Sequence, residues 1–325
     1  MLLIVIIVEV NYLMTNYLIT IIGPTAIGKT ALSIKLAQHF NCDIISCDSR
    51  QFFKEMRIGT AVPNEEELAG AKHHFIQNKS IFEHYSVGDF ETEALQKLDE
   101  LFKTNNVQIM VGGSGLYVDA VLKGFDEFPD IDTSIRETIN AKYNELGIEY
   151  LQSTLKDLDF EYYQRLEKEN PQTLVNPQRM KRFVEVCLGT GKPYSTFLGK
   201  RSAKRNFTPI IIGLQAEREI MYDRINQRVD IMLQEGLLDE VQQLYPHKDL
   251  NALQTVGYRE LFDYLDKKTT LDFAIEQIKM NTRRFAKRQI TWFKRTENVN
   301  WFDFKTNRDV IITTIENQMH KKSES

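Results

Sequence analysis

The chain has 325 residues, of which 42% are hydrophobic, so it can bury a full core and is not a disordered protein over most of its length. Its 41 basic and 45 acidic side chains give a formal net charge of −4. This balance argues against a protein that binds polyanions over its whole surface, and any nucleic-acid site must be a local patch.

The opening run Met1–Val8 is apolar but too short to span a membrane, and no basic region precedes it as in a secretory signal. It is either a buried extension strand or a stretch ahead of a true start at Met14. Three cysteines without a CxxC pair predict reduced thiols and a cytoplasmic protein: Cys42, Cys47 and Cys187. No membrane association is expected.

The first predicted unit is a strand, a glycine loop and a helix. Tyr17–Ile22 is a short apolar run rich in β-branched residues, which predicts a strand. Ala31–Gln38 follows the loop, and its Leu32 and Leu36 recur at helical spacing.

The loop Gly23–Thr30 reads GPTAIGKT and matches the Walker A pattern of phosphate-binding and ATP-binding proteins. Glycines let the backbone N–H groups point at phosphate oxygens, and the helix N-terminus adds a favourable dipole. Lys29 supplies a cation, and the Thr30 hydroxyl can bind a magnesium ion held by the same phosphates. The alternative is an ordinary glycine turn with a surface lysine.

Two further buried strands are predicted at Asp43–Cys47 and Val107–Val111, with helical stretches near Asn64–Lys72 and Phe90–Lys103. This alternation predicts an α/β fold, with a P-loop NTPase-like core whose parallel sheet is flanked by helices, over residues 14–128.

The loop predicts a diphosphate or triphosphate ligand but does not identify ATP. A kinase or ATPase usually places a metal-binding Asp at the end of a neighbouring strand. Here Val107–Val111 runs into Gly112–Gly115 instead. The remaining acid is Asp48 after Asp43–Cys47, which could be a metal ligand, a general base or merely an acid in a loop.

Residues 129–206 are polar, charged and helical in pattern, and we predict an inserted helical domain there. Residues 207–310 return to the core. Thr208–Gly213 resembles a sheet strand, and three helices are expected: Arg218–Gln234, Asp239–Leu244 and Leu271–Arg295. Lys321–Ser325 is expected to be a frayed tail.

Basic residues are concentrated in Lys279–Arg295, which holds seven Lys or Arg and no acid. This stretch predicts an RNA-facing helix, with further basic clusters at Asn176–Arg182 and Lys200–Arg205. Its aromatics either stack on bases or anchor the helix, and anchoring is favoured because aromatics at helical spacing usually pack: Phe285, Trp292 and Phe293.

Two smaller signals remain open. Arg224 and Arg228 lie one helical turn apart and could both bind the phosphates, or form a solvated stripe paired with Asp223 or Asp230. The adjacent His73 and His74 lack nearby Cys or Asp residues, so a structural role is favoured over metal binding.

Six motifs in order resemble the tRNA dimethylallyltransferase family from Tyr17 to about Trp301: GPTAIGKTALS (23–33), ISCDSRQFFKEMRIGTA (45–61), VGGSGLY (111–117), NPQRMKRFVEV (176–186), VGYRE (256–260) and RRFAKRQITWF (283–293). The resemblance implies transfer of the dimethylallyl group of dimethylallyl diphosphate to N6 of the adenine 3′ of the anticodon in tRNA, with Mg²⁺ as cofactor. It also implies a monomer that contacts the anticodon arm of tRNA.

By this resemblance Asp48 is the catalytic base, and Lys29 and Thr30 are catalytic, with Thr30 binding Mg²⁺ through the diphosphate. The diphosphate-binding residues it implies are Gly23, Pro24, Thr25, Ala26, Ile27, Gly28, Lys29, Thr30, Arg224 and Arg228. The tRNA-binding residues it implies are Asp48, Ser49, Arg50, Gln51, Ser114, Arg136, Asn176, Pro177, Gln178, Arg179, Met180, Gln254, Thr255, Val256, Gly257, Tyr258, Arg259, Lys287, Arg288 and Gln289. On turn chemistry alone, Ser114 could equally be a simple turn serine.

The chain departs from the family pattern at Ile27, Glu55 and Arg57, where the family usually has Ser, Gly and an acid or amide. Two other functions fit the phosphate loop alone. A small-molecule or nucleotide kinase would use ATP without RNA, and a noncatalytic RNA-binding protein would form no product.

Overall fold

The computed structural model describes residues 15–126, 128–199 and 204–323. They fall into two compact units. The core unit comprises the described residues up to Leu122 and from Arg205 onward, and the second unit comprises Lys123–Lys204. From the sequence, the inserted unit was predicted at residues 129–206.

The core is built on a parallel sheet, as predicted. Among the described residues the sheet has six strands in the order β3-β2-β4-β1-β5-β6, every pair parallel. The strands are β1 Tyr17–Ile22, β2 Ile44–Ser46, β3 His73–His74, β4 Val107–Val111, β5 Thr208–Gln215 and β6 Val299–Asp303. The two loops of the predicted phosphate site therefore follow neighbouring strands, β1 and β4.

The helices of the described residues are α1 Lys29–Phe40, α2 Glu65–Gly70, α3 Val87–Leu101, α4 Gly115–Lys123, α5 Thr133–Leu146, α6 Ile148–Leu158, α7 Phe160–Glu169, α8 Pro177–Thr190, α9 Arg218–Gln234, α10 Leu237–Leu244, α11 Tyr258–Leu265, α12 Leu271–Phe293 and α13 Arg308–Ser323. None of them is long and apolar enough to cross a membrane.

Both faces of the sheet are covered, which explains why β1 is buried throughout and apolar at every position except Tyr17 and Thr20. Ile19 and Ile21 pack in one cluster with residues of α1 and α13, whereas Leu18 and Ile22 pack in another with α3 and α12. Alternate residues of a strand point to opposite faces, so a strand covered on both sides needs no polar positions. The sheet is thus enclosed between helical layers, as in the predicted fold class.

The second unit is helical, and its core joins α5, α6, α7 and α8. Asn176 caps α8 by accepting a hydrogen bond from the N–H of Arg179, and Pro177 occupies the first turn. The sequence NPQR therefore specifies a helix start, because Asn is a preferred N-cap residue and Pro is favoured at the first position of a helix.

The core does not end at residue 310, and the boundary predicted there was wrong. β6 adds a sixth strand beside β5, and α13 buries Ile311 and Ile315 in the cluster shared with α1. The expected frayed tail is also wrong for Lys321–Ser323, which belong to α13. The packing of α13 against α1 is nonlocal, so no local pattern revealed it.

Each of the adjacent histidines contacts an oxygen of the core unit. His74 contacts the Asp43 carboxylate at 2.8 Å, and His73 Nδ1 lies 2.8 Å from the carbonyl oxygen of Ala71. No group of metal-binding side chains occurs among the described residues. The interpretations of Met1–Val8 and Met14 lie outside the described residues, as does most of the Lys200–Arg205 cluster.

Candidate active site

The phosphate loop joins β1 to α1, and the helix begins at its lysine. Gly28 is the N-cap with φ 102° and has no side chain that could cap the helix. The first N–H groups of α1 are therefore left for another acceptor, and an anion at a helix N-terminus supplies one. The departure at Ile27 is explained, because its side chain is buried beneath the loop beside Gly23.

The Lys29 side chain is enclosed by the phosphate loop. Its Nζ donates a hydrogen bond to the carbonyl oxygen of Pro24 at 2.7 Å. Burial lowers the pKa of Lys29 to about 8, an effect that Asp48 opposes and Arg228 reinforces. A phosphate anion placed beside this ammonium would restore its preference for the charged form.

The two arginines of α9 reach the same loop in different ways. Arg224 donates from Nε to the carbonyl oxygen of Ala26 at 2.8 Å and so braces the loop backbone. Arg228 has a pKa lowered by burial, and Asp48 is the largest of the influences that oppose this shift. The alternative, a stripe paired with Asp230, is not favoured, since Asp230 pairs with Lys279 at 2.8 Å.

A cavity of about 470 Å³ opens over the loop. It is lined by the loop residues Thr25–Thr30, by Gly112 and Gly113, by both arginines of α9, and by two carboxylates, Asp48 and Glu67. The backbone N–H groups of the loop, Lys29 and the two arginines place positive charge in the lining of this cavity, which suits a chain of phosphate groups.

A second cavity of about 310 Å³ adjoins the first. Its walls come from the loop after β2, the segment before α11 and one side of α12, with Phe285 and Arg288 at that side. The two cavities share five lining residues: Thr25, Asp48, Thr60, Ala61 and Arg228. Asp48 therefore stands where two ligands could meet.

The Asp48 loop is held by its neighbours. One carboxylate oxygen of Asp48 accepts a hydrogen bond from the N–H of Arg50 at 3.1 Å. Arg50 itself donates to the carbonyl oxygens of Asn251 and Ala252, and burial lowers its pKa. The other carboxylate oxygen of Asp48 is thus available to a ligand in either cavity.

Ser114 is more than a turn serine, because it ties the second glycine loop to the Asp48 loop. Its Oγ accepts a hydrogen bond from the N–H of Ser49 and lies 3.1 Å from the Ser49 hydroxyl. Gly112 has no room for a side chain, since a Cβ there would lie 2.4 Å from Cys47 Sγ. The loops after β2 and β4 therefore pack against each other.

Glu240 on α10 holds the segment 57–61, which forms the wall between the cavities. This role was not predicted from the sequence. The Glu240 carboxylate accepts hydrogen bonds from three successive N–H groups, those of Arg57, Ile58 and Gly59, and from the Tyr258 hydroxyl at 2.6 Å. Nothing in the local sequence DEVQQL signals this role, because the backbone partners lie about 180 residues away in the chain.

The amide of Gln51 continues this wall. It donates to the carbonyl oxygens of Thr60 and Ala61, and Ala61 adopts a left-handed conformation with φ 50°. Thr60 and Ala61 line both cavities although neither was predicted. Both residues belong to the motif RIGTA, and that motif was the sequence feature from which their position in the site could have been predicted.

The departure at Glu55 braces the neighbouring loop, where its carboxylate accepts from Ser80 and Ile81. At Arg57 the backbone N–H donates to the Glu240 carboxylate, and the side chain is exposed.

Most of the residues predicted to bind tRNA in the core line the second cavity: Asp48, Ser49, Arg50, Ser114, Gln254, Thr255, Val256, Gly257, Arg259 and Arg288. Gln51 lines the first cavity. Lys287 is exposed on α12. In the helical unit Arg136 pairs with Glu185 at 3.0 Å, Gln178 is exposed, and Arg179 donates to Thr173.

Three of the predicted tRNA-contacting side chains are buried. Tyr258 and Met180 have no exposed surface, and Gln289 is 5% exposed. Tyr258 bonds to Glu240, while the Gln289 amide bonds to Thr25 and Gly113. The motifs that contain these residues have one buried and one exposed face. The family resemblance assigned each whole run of residues to tRNA binding, so the buried side chains were included.

The aromatics of α12 differ in how far they are buried. Phe293 is buried and anchors the helix, and Trp292 packs on Gly115 while its Nε1 donates to Asp119 at 2.8 Å. Phe285 is 38% exposed and lines the second cavity, so the favoured anchoring role is wrong for this residue.

Comparison with known proteins agrees with this geometry. Residues 51–296 match the family described as IPP transferase. A tRNA dimethylallyltransferase of Flavobacterium psychrophilum is 73% identical over 289 residues, 89% of this chain and 94% of that protein. One of Bacteroides fragilis, tRNA dimethylallyltransferase 1, is 44% identical over 86% of this chain and 91% of that protein.

Solved structures show the same relationship. The tRNA isopentenylpyrophosphate transferase of Bacillus halodurans is 37% identical, with a TM-score of 0.70 over 95% of this chain and 98% of that chain. A eukaryotic dimethylallyltransferase acting on tRNA is 26% identical, with a TM-score of 0.78 over 95% of this chain and 80% of that chain. The chain therefore belongs to the IPP transferase family, together with the tRNA dimethylallyltransferases.

Proposed function

We propose that this enzyme transfers the dimethylallyl group of dimethylallyl diphosphate to N6 of the adenine 3′ of the anticodon in tRNA. The observation that carries the proposal is the pair of cavities that share Asp48. One cavity has the cationic lining that a diphosphate needs, and the other borders the basic helix α12. Relatives named tRNA dimethylallyltransferase support the same substrates.

The first cavity suits the leaving group. An allylic diphosphate ionises readily because the positive charge spreads over the allyl system, so the enzyme must chiefly stabilise negative charge on the departing diphosphate. Lys29, Arg228 and the free N–H groups at the start of α1 provide that charge. Arg224 contributes by holding the loop in shape through Ala26.

The second cavity suits the acceptor. A base that is to be modified must leave its stack and enter a pocket. The exocyclic amine is a weak nucleophile because its lone pair is delocalised into the ring, so a base that removes its proton assists the attack. In the proposed reaction the C–N6 bond forms as the C–O bond to diphosphate breaks, the diphosphate leaves with the electron pair, and Asp48 takes the N6 proton.

We propose Mg²⁺ as the cofactor. Thr30 and Glu67 line the first cavity, so oxygen donors suited to Mg²⁺ are present beside the phosphate loop. Among the described residues no cluster of three His, Cys, Asp or Glu side chains exists. This agrees with a metal bound largely through the diphosphate itself, where it would neutralise charge on the leaving group.

We propose that the exposed face of α12 and the basic side chains of the helical unit, Arg136 and Arg179 among them, contact the anticodon arm. The protein is proposed to act as a monomer, as the family resemblance implies. The tRNA substrate and three free cysteines support a cytoplasmic location.

The test is incubation of the protein with Mg²⁺, radiolabelled dimethylallyl diphosphate and total tRNA, followed by nucleoside analysis. Label in N6-dimethylallyladenosine is the expected result. Label that stays out of tRNA, with ATP consumed on addition of a small acceptor, would support a kinase instead. RNA binding without any labelled product would support a noncatalytic protein.

A further inference from the structure

One buried amide joins the two glycine loops of the site. Gln289 lies on α12 and is 5% exposed. Its Oε1 accepts a hydrogen bond from the N–H of Thr25 at 2.8 Å, and its Nε2 donates to the carbonyl oxygen of Gly113 at 2.9 Å. Thr25 belongs to the loop after β1 and Gly113 to the loop after β4.

The two contacts require a side chain that carries both a donor and an acceptor. The backbone N–H of Thr25 can only donate and the carbonyl of Gly113 can only accept, so the bridging group must carry one acceptor and one donor. A carboxylate lacks the donor, and an apolar side chain lacks both. Because the bridge is buried, loss of either partner leaves an unsatisfied polar group and costs more than a surface hydrogen bond.

The backbone at Gly113 is fitted to this amide. A Cβ there would lie 2.3 Å from Gln289 Nε2 and 3.7 Å from Lys29 Nζ. Gln289 therefore occupies the space that a side chain would need, next to the lysine of the phosphate loop. Thr25 and Gly113 both line the first cavity, and the amide sets the distance between these walls.

We infer that Gln289 is a positioning residue for the diphosphate cradle and not a tRNA contact. This rests on the proposed function of the first cavity as the diphosphate site. Both ends of its amide are engaged by the two loops, whereas Lys287 on the same helix is exposed and Arg288 lines the second cavity. Gln289 thus connects the phosphate loop to the helix that carries the basic surface.

The test compares Gln289→Met with Gln108→Met. Gln108 is a matched control, because it is also a buried glutamine that bridges two segments, from the N–H of Asp43 to the carbonyl of Asn105. It lies near the start of β4, outside both cavities. Three quantities are measured: the Kd for inorganic diphosphate with Mg²⁺ and without tRNA, the Kd for tRNA, and the Tm.

For Gln289→Met we expect the diphosphate Kd to rise about tenfold or more, because the loss of two buried hydrogen bonds shifts the loops that bind it. The tRNA Kd should stay within about twofold, since no exposed surface changes. Gln108→Met should lower the Tm without changing the diphosphate Kd. In turnover assays Gln289→Met should raise KM for dimethylallyl diphosphate and leave KM for tRNA unchanged.

The inference is overturned if Gln289→Met weakens tRNA binding while diphosphate binding is unchanged, or if both variants weaken diphosphate binding equally. Should Gln289→Met fail to fold, Gln289→Glu retains the acceptor for Thr25, loses the donor to Gly113 and adds a negative charge. It should still weaken diphosphate binding, and normal binding would overturn the inference. Diphosphate binding is measured without transfer, so failure of wild-type prenylation would count against the proposed function alone.

Discussion

Lys29 donates a hydrogen bond from its ammonium to the carbonyl oxygen of Pro24, within the loop that it is expected to serve. Burial lowers its pKa from 10.5 to about 8. A charge held in this environment weakens the fold, and we expect it to be retained because it binds the proposed diphosphate. Function and stability are therefore opposed at this residue.

We predict that Lys29→Met stabilises the free protein by about 1–3 kcal/mol near neutral pH while abolishing diphosphate binding. The folded pKa lies below the unfolded value, so the cost of the charge is fully present below about pH 8 and disappears as the pH rises toward about 10.5. Denaturant unfolding at about pH 7 and about pH 10 measures the difference between wild type and variant. A variant less stable than wild type at neutral pH would contradict the prediction.

Replacing Asp48 tests its role as the base. Asp48→Asn should lower kcat by about 10²–10⁴-fold, the usual contribution of a positioned base, with little change in tRNA or diphosphate affinity. Single-turnover prenylation of tRNA measures the loss. The matched control is Asp43→Asn at the other end of β2, where the carboxylate contacts His74 instead of a cavity. Equal turnover in Asp48→Asn and wild type would remove Asp48 from this role.

The hydrogen bond between Glu240 and Tyr258 should stabilise the wall shared by the cavities. Burial and the neighbouring Glu240 raise the pKa of Tyr258, which keeps its hydroxyl protonated as a donor. We predict that Glu240→Gln and Tyr258→Phe each lower kcat/KM. A double-mutant cycle on unfolding should give a coupling free energy of about 1–3 kcal/mol, as for a hydrogen bond to a charged group. Additive effects, or stability loss with normal kinetics, would refute this.

The exposed face of α12 should supply salt-dependent tRNA affinity. Arg284, Lys287 and Arg288 are exposed, whereas Arg283 donates to Asn226 at 2.6 Å and packs on Tyr222, so Arg283 is excluded from the test. Changing the three exposed residues to Gln should reduce the slope of log K against log salt by about 0.7–0.9 for each tRNA phosphate that the variant no longer neutralises.

Exposed lysines elsewhere on the core provide the control for that experiment. Lys35 and Lys103 are exposed and line neither cavity. Their replacement by Gln should leave the slope unchanged. An unaltered slope in the α12 variant, or the same reduction in the control, would place the RNA elsewhere.

The sequence predicted those parts of the site that local chemistry specifies. The phosphate loop, β1 and the start of α1 are contiguous, and their pattern of glycines and apolar residues was sufficient to predict them. The parts that depend on distant partners were not predicted. Glu240 reaches residues 57–59, Gln289 joins two loops, and α13 packs on α1, and in each case the signal is a contact between remote segments.

The most direct test of the proposed reaction is a structure of the protein with tRNA, Mg²⁺ and a nonreactive thio analogue of dimethylallyl diphosphate. We predict the diphosphate beside Lys29 and Arg228, an extruded adenine in the second cavity, and the Asp48 carboxylate within hydrogen-bond distance of N6. An adenine bound far from Asp48, or an analogue whose diphosphate lies outside the phosphate loop, would contradict the proposed reaction.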